Sequence, residues 1–131
     1  TKNLDGFRGI FKMGILSIGV FSSLVGSMNT DFVIKLSKTA LNKGHKVNIW
    51  LSGNAVMLVN KDQKEFKDYS HPGVELPYLI EKGLNVVVCE ACANARGLTE
   101  KKSVKGTKFT SMDWYLAYGA AGDRMLNIGG E

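Results

Sequence analysis

The pentapeptide Asn85-Val86-Val87-Val88-Cys89 holds three consecutive valines and follows the helix-stopping glycine Gly83. A short unbroken β-branched run of this kind fits a strand buried on both faces, as strands of a parallel sheet are. Directly after it, residues 90–96 are Ala-rich and helix-prone, and Gly97 ends them. A strand running straight into a helix is half of a βαβ unit, whose crossover is right-handed.

The same rhythm extends on both sides. Upstream, Ile15–Phe21 reads as a first buried strand, followed by a loop through Ser22, Ser23, Gly26 and Ser27. Ser27 or Asn29 caps a helix that runs to about Lys43. Its apolar stripe is Phe32, Val33, Leu36, Ala40 and Leu41, at spacings of three and four. Gly44 stands where a left-handed C-terminal cap is expected. Val47-Asn48-Ile49-Trp50-Leu51 is a second strand, ended by Gly53, and residues 55–59 read as a short helix. Residues 61–73 are polar, close on His71-Pro72-Gly73, and form the expected mobile loop. Residues 75–82 read as a helix. Downstream lie a basic loop at 101–108 with a short edge strand, a helix from Thr110 or Ser111 through Tyr118, and a last strand at 124–128. The predicted class is α/β: an open, mostly parallel sheet of four to five strands with helices on both faces, in flavodoxin-like order.

Composition sets the frame. The chain has 131 residues, 44% hydrophobic and 22% charged, which predicts one globular domain over residues 1–131, with 1–12 as a loosely ordered N-terminal arm. Lys and Arg number 17 against 12 Asp and Glu, so the chain is basic by five charges. That balance permits acidic partners without requiring them. The lysines are scattered rather than interleaved with aromatics, which argues against direct nucleic-acid readout. Residues 13–30 carry no charge before Asp31 and follow Arg8 and Lys12, a pattern that resembles a secretory leader. The serines and Asn29 make this stretch too polar for a membrane span, and the strand reading takes precedence.

Ligands of open α/β sheets bind at the carboxyl ends of strands, where strand order reverses. In flavodoxin-like order the first and third strands are neighbours, so the loop Ser22, Ser23, Gly26 is expected to face the segment that opens at Cys89. The strand-end position puts Cys89 at a helix N-terminus, where backbone N–H groups favour an anion; its thiol pKa is expected below the free value of about 8.5. Arg96 adds positive charge and Glu90 opposes it. Position alone leaves both a reactive thiol and a small buried hydrophobe open. Cys92 completes a C-x-x-C pair on one helix face, which also allows a dithiol redox site with a nucleophile and a resolving thiol.

Other chemistries are not supported. A zinc site needs about four ligands, and besides the two cysteines only His45 and His71 remain, both far upstream. No metal is expected, and no cofactor. Neither G-x-G-x-x-G, a phosphate loop nor a G-x-S-x-G elbow is present. Trp114, Tyr115, Leu116 and Tyr118 surround one helix and exceed the needs of a single buried stripe, which predicts a subunit interface.

Several blocks together resemble the DsrE/TusD-like (DsrEFH) sulfur-relay family. They are the opening Ile15-Leu16-Ser17-Ile18, the run Asn-Lys-Gly-His-Lys-Val-Asn-Ile-Trp at 42–50, Ser-Gly-Asn-Ala-Val at 52–56, and Val-Val-Val-Cys-Glu-Ala-Cys-Ala-Asn-Ala-Arg-Gly-Leu at 86–98. The resemblance covers residues 14–129 and is most specific in the strand-end cysteine seven residues before Arg96-Gly97. It implies a small cytoplasmic α/β subunit that forms homo-oligomers (trimers or hexamers) or hetero-oligomers with related subunits. It also implies a sulfurtransferase role: sulfane sulfur is accepted as a persulfide on Cys89 from a donor protein and passed to an acceptor protein. Cys92 is then secondary, Arg96 supporting, and Ser22, Ser23 and Gly26 substrate-binding. The readings kept beside it are a non-catalytic oligomeric subunit of a sulfur-transfer complex, a C-x-x-C dithiol redox protein, and a small-ligand binding module at the Ser22–Gly26 loop.

Overall fold

The computed structural model describes residues 13–130, so the expected N-terminal arm at 1–12 lies outside the described residues. The elements are β1 (Ile15–Phe21), α1 (Met28–Asn42), β2 (Lys46–Ser52), a 3₁₀ helix (Gly53–Val59), α2 (Pro72–Glu81), β3 (Asn85–Cys89), α3 (Glu90–Ala95), a 3₁₀ turn (Glu100–Lys102), β4 (Lys108–Thr110), α4 (Met112–Ala121) and β5 (Arg124–Gly129). The five strands form one sheet in the order β4-β3-β2-β1-β5, and every pairing is parallel.

The α/β class and the parallel sheet therefore hold, but the strand order is not flavodoxin-like. β2 stands between β1 and β3, and the reversal of order falls at β1, whose other edge takes β5. Chain and sheet order agree from β1 to β4, so three right-handed crossovers in one direction lay their helices on one face. The return from β4 to β5 runs the other way across the sheet, and the same handedness puts α4 on the opposite face.

Burial follows that division. On the first face Ile18, Val20, Ile49, Leu51, Val86 and Val88 join side chains from α1, α2, α3 and the 3₁₀ helix in one large cluster. On the second face a smaller apolar cluster buries Trp50, Val87 and Tyr115, with Phe21, Cys89 and Trp114 packed around them. Burying each such large apolar side chain contributes roughly 1.5–3 kcal/mol, so the first face carries most of the stabilisation. Alternate residues of β1, β2 and β3 point to different clusters, which is why these strands read as continuous apolar runs.

Local signals behave as their chemistry requires, with two corrections. Ser27 caps α1 by accepting the Asn29 N–H at 3.1 Å, and Gly44 adopts φ +88 just past its end. The buried stripe of α1, however, is Thr30, Val33, Ile34, Ser37 and Ala40, while Phe32 points outward with 51% exposure. The predicted mobile loop is shorter than expected, because Pro72 begins α2 at the position where its missing N–H costs nothing. That loop is also pinned. Ser70 donates to Asp31 Oδ1 through its backbone N–H at 2.7 Å and its hydroxyl at 2.6 Å, and Asp31 also pairs with Lys35 at 2.7 Å.

Candidate functional site around Cys89

β3 delivers Cys89 to the carboxyl end of the sheet, where it becomes the cap residue of α3. Its extended backbone, φ −65 and ψ 115, lets Sγ turn back and accept the Cys92 N–H at 3.4 Å. One helical turn on, Cys92 Sγ accepts the N–H of Gly53 at 3.3 Å. Gly53 follows β2 directly and adopts φ +60, a conformation that glycine takes without steric cost. Both thiols are half-buried and unbridged.

Arg96 closes the arrangement from the far end of α3. Its Nε donates to Asn54 Oδ1 at 2.9 Å and its Nη1 to the Cys92 carbonyl oxygen at 3.1 Å. Its guanidinium thus ties α3 to the turn after β2. Gly53 is legible in the sequence as a strand end and Asn54 as part of the 52–56 block, but neither as a site residue. The available signal was the Ser52-Gly53-Asn54 turn itself, which reads as a strand end unless the β2–β3 pairing is known.

The expected facing of Cys89 by the Ser22–Gly26 loop is corrected by the strand order. β1 and β3 lie two strand spacings apart, about 10 Å, with β2 between them. Ser22 adopts φ +66 and donates its N–H to the Ser52 carbonyl at the end of β2. Ser23 is buried and its hydroxyl accepts from Asn29 Nδ2 at 3.4 Å. A Cβ on Gly26 would meet the Phe66 ring at 2.7 Å, so the pinned loop covers this position.

The expected activation of Cys89 is corrected as well. Burial, first, and the neighbouring Cys92 thiol push its pKa up, and the N–H groups of Cys92 and Ala91 offset this only in part. A six-residue helix with Glu90 in its first turn has little dipole to offer. On the same face Tyr115 donates to Asn127 Oδ1 at 2.5 Å and stacks against Trp50, and burial raises the pKa of its phenol.

A groove of about 630 Å³ lies at the other end of the sheet, between Leu36, Ala40, His45, Asp123 and the start of β1. Among the described residues no cluster of three His, Cys, Asp or Glu is placed to hold a metal, and no helix is long and apolar enough to cross a membrane.

The sequence profile of the DsrE/DsrF-like family matches residues 19–128, which include β1 from Gly19 onward and the whole Cys89 block. The chain belongs to the DsrE/DsrF-like family. Among relatives, this DsrE/DsrF-like chain is 32% identical over 95 residues to the uncharacterized protein MJ0989 of Methanocaldococcus jannaschii, covering 72% of this chain and 82% of that one. It is 28% identical over 100 residues to the uncharacterized protein MK0008 of Methanopyrus kandleri, covering 75% and 80%. Among solved structures, the ychN protein from E. coli superposes with a TM-score of 0.80 at 18% identity, over 88% of this chain and 100% of that one. That likeness is one of fold.

Proposed function

We propose that this chain is a cytoplasmic sulfur carrier that accepts sulfane sulfur as a persulfide on Cys89 and passes it to a partner protein. The observation that carries the reading is the placement of Cys89 in a DsrE/DsrF-like fold: a half-buried sulfur at the end of β3, accepting the Cys92 N–H. Cys89 sulfur attacks the outer sulfur of a donor persulfide. The donor's S–S bond breaks, a new one forms on Cys89, and the proton lost by Cys89 ends on the donor's leaving thiol. No net charge is created, which suits a thiol whose anion is penalised by burial. The terminal sulfhydryl of a persulfide is more acidic than a thiol, so the N–H that only partly offsets burial for Cys89 acts on a group that ionises more readily.

Family membership supports donor and acceptor proteins of a sulfur relay as partners, and assembly into a homo- or hetero-oligomer. The exposed Leu116 and Tyr118 of α4 and the exposed edge strand β5 are the surfaces that favour it. A second reading, a non-catalytic subunit that keeps the cysteine as packing, is favoured by the raised pKa of Cys89. Incubation with a small persulfide donor separates the two. The carrier gains about 32 Da, one sulfur, in wild type or Cys92→Ser and gains nothing in Cys89→Ser. Loading that persists without Cys89 sinks the assignment.

A further inference from the structure

We infer that Cys92 is a resolving thiol, so that the protein reduces the sulfane sulfur held on Cys89 and releases it as sulfide, leaving a Cys89–Cys92 disulfide. This inference rests on the persulfide reading and adds an outcome to it: besides handing sulfur to an acceptor, the subunit can discharge it alone.

Three observations converge on Cys92. First, its sulfur is aimed by the rest of the fold. The Gly53 N–H, from the end of a different strand, reaches Cys92 Sγ at 3.3 Å, and Arg96 locks that turn to α3 through Asn54. A small hydrophobic filler needs no such donor, whereas a developing thiolate is stabilised by one. Second, Cys92 already engages Cys89, donating its N–H to Sγ at 3.4 Å. Residues at i and i+3 of a helical turn hold their Cβ atoms about 5–6 Å apart, against about 3.5–4.5 Å in a disulfide, so closing the bridge takes side-chain rotation and a small backbone adjustment in the first turn of a six-residue helix. Third, both cysteines are half-buried against the core cluster. Cys92 is held beside Cys89 and reacts intramolecularly with the advantage of fixed proximity.

The step balances without an outside oxidant. Cys92 sulfur attacks the inner sulfur, Sγ of Cys89. The persulfide S–S bond breaks as the Cys89–Cys92 bond forms, and the departing hydrosulfide leaves with the Cys92 proton as hydrogen sulfide. The sulfane sulfur is reduced and the two cysteine sulfurs are oxidised. A dithiol reductant, itself converted to a disulfide, returns the site to its starting state.

The test uses the full chain without oxygen, with one equivalent of glutathione persulfide followed by desalting, intact-mass measurement and capture of sulfide with monobromobimane. Wild type is expected to gain about 32 Da and then settle about 2 Da below its reduced mass, releasing about one equivalent of sulfide. Cys92→Ser should hold the added sulfur at least about tenfold longer, because the resolving attack is gone. Wild type that retains its added sulfur as long as Cys92→Ser overturns the resolving role while leaving the carrier reading intact. Sulfide release from wild type without the disulfide mass overturns it as well. If Cys92→Ser takes up no sulfur at all, the carrier reading fails and the resolving step falls with it.

Discussion

Arg96 reaches across from α3 to hydrogen-bond Asn54, Nε to Oδ1 at 2.9 Å, joining the helix that follows β3 to the turn that follows β2. The same guanidinium holds the Cys92 carbonyl, so one exposed side chain fixes both walls of the cysteine site. Its two bonds are solvent-accessible, at the low end of the range for hydrogen bonds, and together worth about 1 kcal/mol. Arg96→Ala should therefore lower the melting temperature by only about 3–6 °C while slowing sulfide release from loaded protein. Uptake of sulfur by Cys89 should be unchanged. Arg96→Lys should not restore the rate, since an ammonium lacks the planar fork that spans the two acceptors.

Cys89 should titrate above the ordinary thiol value of about 8.5. Burial and the Cys92 thiol raise it, so removing the neighbour in Cys92→Ala should bring it down. Alkylation rate against pH measures both. A midpoint below the ordinary value in wild type would restore the activated thiolate that a helix N-terminus suggests.

Asp31 is held at a pKa of about 2, below the ordinary 3.8, by hydrogen bonds to Lys35 and Ser70. Its folded pKa is the lower one, so its contribution to stability is complete above about pH 4 and fades as pH falls toward 2. The stability gap between wild type and Asp31→Asn should close over that window. Above it, Asp31→Asn should also expose the 61–71 loop to limited proteolysis, because Ser70 loses its charged acceptor. An unchanged gap from pH 5 to pH 2 contradicts this role.

Ser37 lies on the buried face of α1 with 0% exposure, and its hydroxyl has no hydrogen-bond partner among the described residues. Ser37→Ala removes a desolvated polar group and improves helix propensity, so stability should rise by about 0.5–1.5 kcal/mol. The urea midpoint should increase with its slope unchanged. A fall in the midpoint would show that the methyl group cannot stand in for the hydroxyl in the packing.

Leu116 and Tyr118 are 52% and 50% exposed on α4, and Tyr118 stacks on Trp114 at 4.6 Å between ring centres. Light scattering at micromolar concentration should give a multiple of 14.3 kDa. Leu116→Lys should shift the mass toward one subunit with little loss of melting temperature, since an exposed leucine contributes to an interface and not to the subunit's own core. A wild-type monomer across the concentration range refutes the interface.

The amino-acid sequence alone determined the class and the location of the cysteine. Three valines without a polar break mean burial on both faces, glycines such as Gly44 mark helix ends, and the 86–98 block places Cys89 at a strand end. Tertiary structure alone decided what Cys89 meets. An apolar run reports that a strand is buried but not which strand lies beside it, so nothing in residues 85–89 shows that β2 and its Gly53-Asn54 turn are the neighbours and the Ser22 loop is not. That choice comes from crossover handedness and from which helices pack together. Protonation is likewise non-local. A helix N-terminus can be read from sequence, but the burial that outweighs it depends on β2, β3 and α4 closing around the sulfur.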